Sequence, residues 1–150
     1  MLNIAHVADL TVRVGEPLEI GPIGAGLRRF IPILGGEVRG PRLNGRILPG
    51  GADCQLIRSD GVLELRAQYV METPEHSRIL IDNSGIRRGP EEAMERLRRG
   101  EEVDPSLIYF RTSPRFETSD ENLRWLMKSL FIATGIRRPD RVELTLFEVL

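Results

Sequence analysis

The chain has 150 residues, 41% of them hydrophobic and 29% charged, which suits one soluble globular domain with a core of its own. A formal net charge of −1 gives no global attraction for nucleic acid or an anionic membrane. One cysteine, Cys54, excludes an intrachain disulfide and a cysteine-based metal cluster.

The N-terminal stretch MLNIAHVADL lacks the basic region and long apolar run of a secretion signal. No apolar run reaches the roughly 18 residues of a membrane helix, so a cytoplasmic protein is expected. Residues 7–14 alternate partially and predict a first strand, followed by a turn at Gly15-Glu16-Pro17. Residues 21–26 have loop or bulge chemistry. Residues 27–33 predict a second strand, interrupted at Pro32. Gly35-Gly36 and Gly40-Pro41 punctuate short extended pieces, residues 43–48 form another strand, and Pro49-Gly50-Gly51 is a strong turn signal.

Residues 53–58 and 62–73 flank Ser59-Asp60-Gly61, a hairpin signal because Asp-Gly accepts positive φ. A strand over 78–86 follows. Residues 90–100 then carry Pro and acids in a first turn, arginines in the last and Gly beyond, as a helix with compensated ends requires. Its few apolar residues make it a surface cover. Strand character returns over 106–117, a shorter helix is predicted over 120–128, and strands over 130–135 and 141–149 close the chain. Short strands with turns at this spacing predict a mainly β fold: a single antiparallel β-barrel domain of about eight to ten strands with one or two short helices.

Of 21 basic residues only Lys128 is a lysine. Arginine reads a carboxylate or phosphate through a planar fork. Because composition bias also yields such a ratio, an arginine counts toward an anion site only when it lies in a strand. The start Gly24-Ala25-Gly26 resembles a dinucleotide-binding turn, but it lacks the third Gly and leads into a strand. His6 and His76 lack metal-ligand spacing, so neither a metal nor a cofactor is expected.

Period-two alternation over 106–117 sets Ile108, Phe110 and Phe116 on one face and Tyr109, Arg111, Arg115 and Glu117 on the other. A half-solvated face explains the second set. A cavity lined by Tyr109, Arg111 and Glu117 explains it equally and is slightly favoured. Asp53 and Gln55 share a face just after a tight turn, where they orient a ligand or cap the turn. Residues 62–71 set Glu64, Arg66 and Gln68 outward and Tyr69 inward with apolar neighbours. Arg29 shares a face with Leu27, Ile31 and Ile33, and needs a carboxylate (Asp53 or Glu117) or a bound anion there.

The motifs together resemble domain of unknown function 3237, also named UPF0311. Gly24, Gly26, Arg28, Arg29 and Phe30 match its first element, and the run from Gly35 through Pro49-Gly50-Gly51-Ala52-Asp53 matches its second. Tyr69, the stretch YFRTSPRFET from Tyr109, and Trp125, Leu126, Leu130, Phe131, Gly135 and Arg137 match the rest. Cys54 stands where that pattern often has Trp, and Arg66 where it often has Asp. The resemblance implies a compact antiparallel β-barrel and brings no established reaction.

The site expected is therefore an interior pocket for a small polar or anionic organic molecule, an organic acid in the first instance. Its binding residues are Arg29, Asp53, Gln55, Tyr69, Tyr109, Arg111 and Glu117. Arg111 supplies the charge, and if the protein is an enzyme, Asp53 or Glu117 is the candidate proton-transferring group of an isomerase- or lyase-like reaction. The alternative is a non-catalytic oligomeric binding or assembly module whose interior ion pairs leave no room for a ligand. No nucleic-acid or membrane partner is expected, and a homodimer is the assembly to look for.

Overall fold

The computed structural model describes residues 1–150. Ten strands follow in chain order: β1 (Ile4–Val14), β2 (Leu18–Pro22), β3 (Leu27–Arg39), β4 (Gly45–Ile47), β5 (Gly51–Ile57), β6 (Leu63–Glu72), β7 (Arg78–Arg88), β8 (Tyr109–Thr118), β9 (Phe131–Arg137) and β10 (Arg141–Val149). Helix α1 (Glu91–Arg98) lies between β7 and β8, and 3₁₀ turns occupy Pro105–Leu107 and Glu121–Met127.

Every pairing is antiparallel. The circuit β1-β3-β5-β6-β7-β8-β9-β10 closes when β10 returns to β1, with Ile4 opposite Val149. Two strands lie outside that eight-strand circuit. β4 fills the space between the far halves of β3 and β6, and β2 extends the line of β1 along β3. No helix is long and apolar enough to cross a membrane.

Pro32, Gly35 and Gly36 do not end a strand as their composition suggests. β3 runs unbroken through all three, and Pro32 falls where β1 ends (Val14 opposite Ile33) before β2 begins (Leu18 opposite Phe30), so no neighbour needs its missing N–H. The helix expected over 120–128 is a 3₁₀ segment, begun by Asp120 accepting from the Asn122 N–H.

The closed end of the barrel is a dry core. Phe116 packs edge-on to Phe131 at 5.1 Å, Trp125 tilts against Phe131, and Leu126 of the 3₁₀ segment plugs the opening over Met71, Ile79 and Ile81. The other end is spanned by α1. Its first turn carries Glu91 and Glu92 and its last Arg96 and Arg98, matching the helix dipole, while Ala93 and Leu97 are buried against Val103.

Candidate functional site

Inward positions recur every second residue, and toward the α1 end they change character. β7 runs Ile79, Ile81, Asn83, Gly85, Arg87 from the closed end to the mouth, and β8 mirrors it with Phe116, Pro114, Thr112, Phe110. Gln55 and Asp53 enter from β5, Arg29 from β3, Tyr69 from β6 and Arg137 from β9. Ala67, Gly85 and Ala133 occupy neighbouring inward positions, so these polar groups face short side chains.

Six buried side-chain atoms have no protein hydrogen-bond partner: Asp53 Oδ1, Gln55 Oε1, Tyr69 OH, Asn83 Oδ1, Arg87 Nε and Thr112 Oγ1. All belong to this one inward set. Buried polar groups are ordinarily paired, so a cluster of orphans in one place makes this inward set the candidate site.

Arg87 carries the charge. It is 3% exposed, forms no salt bridge, and its guanidinium sits 5.2 Å from the centroid of the Phe110 ring. Burial, reinforced by the positive charges of Arg137 and Arg29, pushes it down to about 10, so it remains a cation at neutral pH. Arg137 is likewise lowered, first by burial and then by Arg29, and donates to the carbonyls of Arg138 and Arg141. Asp53 is the interior carboxylate. Burial raises its pKa, against the opposing pull of the Gln55 hydrogen bond and the Arg87 charge. Gln55 Nε2 donates to Asp53 Oδ2 at 2.8 Å, leaving Oδ1 unpartnered. Tyr69 is pushed up by burial and by Asp53, which keeps the phenol neutral.

Above this set the mouth opens into a cleft of about 640 Å³ between α1 and the β5–β6 hairpin, with Arg29 and Arg87 in its wall and Arg98, Glu95, Met94 and Asp60 around it. That volume is within the range of small-molecule sites.

The structure sorts the expected residues into two groups. Arg29, Asp53, Gln55 and Tyr69 point into the barrel. Tyr109, Arg111 and Glu117 do not: β8 turns that face to solvent, Tyr109 is 42% exposed, and Arg111 donates to the Phe110 carbonyl beside it. The half-solvated explanation of that face is correct, and Phe110, Thr112 and Phe116 form the inner face. Glu117 lies on that outer face, so of the two acid–base candidates Asp53 alone is inside the barrel. Arg29 finds its carboxylate in neither Asp53 nor Glu117 but in Glu19 of β2, at 2.8 Å and directly opposite in register, and it also donates to the Arg98 carbonyl.

Arg87, Arg137, Asn83 and Thr112 were not foreseen. Cys54 and Arg66 both face outward, Arg66 in a two-bond pair with Asp82, so neither walls the interior. No group of three or more His, Cys, Asp or Glu side chains comes together to hold a metal ion.

A family profile described as "Protein of unknown function (DUF3237)" matches residues 2–149. A UPF0311 protein of Rhodopseudomonas palustris (strain TIE-1) is 48% identical over 149 residues, covering 99% of this chain and 97% of its own. The crystal structure of a conserved protein of unknown function from Rhodopseudomonas palustris superposes with a TM-score of 0.97 at 47% identity, covering 100% of this chain and 99% of the other. An enzyme from Penicillium herquei shares the fold at a TM-score of 0.74 and 18% identity, over 99% of this chain and 95% of the other.

Proposed function

The chain belongs to the DUF3237 (UPF0311) family, and from that premise we propose that its barrel takes up a small organic acid through the mouth beside α1. The ligand's negative charge sits on Arg87. The observation that supports this is the unpaired, buried guanidinium itself. An interior cation with no carboxylate in contact is expensive even with Asp53 acting on it from a distance, and an incoming carboxylate supplies the missing partner through two parallel hydrogen bonds. The alternative of an interior filled by ion pairs fits less well, because Arg29 is paired with Glu19 while Arg87 has no carboxylate.

Within this reading Asp53 is the group placed for chemistry. Its free Oδ1 accepts a proton from a carbon beside the ligand's carboxylate or carbonyl. The electron pair left behind moves onto ligand oxygen near Arg87, and return of the proton to a different carbon completes an isomerisation.

Isothermal calorimetry against a panel of small carboxylates tests the binding. Arg87→Met is expected to weaken a bound acid by about 10-fold or more, since hydrogen bonds to a charged group contribute roughly 1.5–3 kcal/mol. Arg111→Met, on the outer face, should leave the affinity unchanged. The reverse pattern, in two variants with native circular dichroism, would sink the proposal.

A further inference from the structure

Resting on the anion reading above, we infer that the ligand is a hydroxylated acid, with hydrogen-bond donors on the carbon chain beyond its carboxylate. The inward positions beyond Arg87 are rich in acceptors. The orientation of the Gln55 amide is fixed, because its Nε2 donates to Asp53 Oδ2 and Oε1 must then face away as an acceptor. Asp53 Oδ1, two residues along the same strand face, is a second buried acceptor without a protein partner. The Tyr69 and Thr112 hydroxyls can each accept or donate, and they too are unpartnered.

A carboxylate has no donor to offer any of these atoms. A plain alkanoate would therefore satisfy Arg87 while stripping water from Gln55 and Asp53 and returning nothing. Hydroxyl groups complete both ends at once, the acid on Arg87 and the O–H groups on Oε1 and Oδ1. Charge also argues against a metal ion on the same oxygens, because Arg87 and Arg137 both act electrostatically on Asp53.

The test is a matched series on the full-length protein by calorimetry: glycolate, lactate, glycerate, threonate and gluconate, each beside the alkanoate of equal chain length, with sorbitol as the uncharged polyol. At least one hydroxy acid is expected to bind about 10-fold or more tightly than its alkanoate, because a site built to hydrogen-bond hydroxyls rejects analogues that lack them. Gln55→Leu should erase most of that preference, read as the ratio of hydroxy-acid to alkanoate affinity within the variant. Equal binding of hydroxy acid and alkanoate overturns this inference and leaves the anion site standing. Sorbitol binding as tightly as gluconate, or no carboxylate binding below about 10 mM, overturns the anion reading itself. The wild-type series alone decides the matter if Gln55→Leu does not fold.

Discussion

Asp53 carries a raised pKa inside a barrel whose nearest charges are positive, so desolvation outweighs the attraction of Arg87 and Arg137. A carboxyl whose folded pKa lies above its unfolded value stabilises the fold below the unfolded pKa, and that contribution is lost as pH rises through the folded one. At neutral pH an ionised Asp53 is thus a liability retained for another reason. Asp53→Asn, which keeps an acceptor for Gln55, should raise the melting temperature of the ligand-free protein at pH 7 to 8 by a few degrees, at about 2–4 °C per kcal/mol for a chain of this size. The gain should shrink as pH falls toward about 4, the ordinary range of the group. Thermal melts across that interval check the sign, and a variant less stable than wild type at pH 8 would contradict the assigned shift. Tyr69, raised for the same cause, stays neutral throughout and adds no slope of its own in that interval.

At the level of the strand, Gly135, Phe110 and Arg87 lie side by side across β9, β8 and β7. A Cβ on Gly135 would stand 2.8–2.9 Å from three atoms of the Phe110 ring, so the glycine is what lets the ring lie flat beneath the guanidinium. Gly135→Ala is expected to destabilise by about 1–3 kcal/mol, as overpacked cores do, and to weaken acid binding by shifting Arg87. Chemical denaturation and calorimetry on the one variant measure both. The same strands show how far the sequence could be read. Tyr69, Asp53, Gln55 and Arg29 were legible because each falls within a segment that the sequence pattern already marks as a strand. Arg87 and Arg137 were not, because the pattern ends those strands at 86 and 135 and both arginines fall in the residues beyond. Adjacent arginines at 87–88 and 137–138 look like solvated turn residues until the pleat continues through them. Arg111 misled for the opposite reason: alternation fixes which residues share a face of β8 but not which face is inside, and the all-apolar set Phe110 and Phe116 was the better guide to the core.

Closure is a property of the whole molecule. β1 and β10 pair over nearly their full lengths, and the Leu150 N–H donates to the Asn3 carbonyl at 2.8 Å, so the two ends of the chain lie together. Ending the chain at Asp140 would bare the edges of β1 and β9 and uncover the core side chains Leu144 and Leu146. That truncation is expected to be unfolded or aggregated by gel filtration and circular dichroism. A circular permutant joining Leu150 to Met1 and opened at the exposed Asp60-Gly61 tip should give the native spectrum. A folded truncation, or an unfolded permutant, would show that closure is not what holds the barrel.

The interior is divided along its length, hydrocarbon at the plugged end and polar groups beneath the cleft, and that division has an evolutionary consequence. On the proposed reading, the residues that keep the protein folded are not the ones that would choose its ligand. Exchanges at Phe116, Phe131 or Leu126 are expected to spoil that foundation, whereas Asp53→Asn is expected to leave it standing with a net gain in stability. If the proposed site is right, the barrel is suited to diverge in what it recognises while its architecture stays fixed, and the polar inward positions are where redirecting it would start.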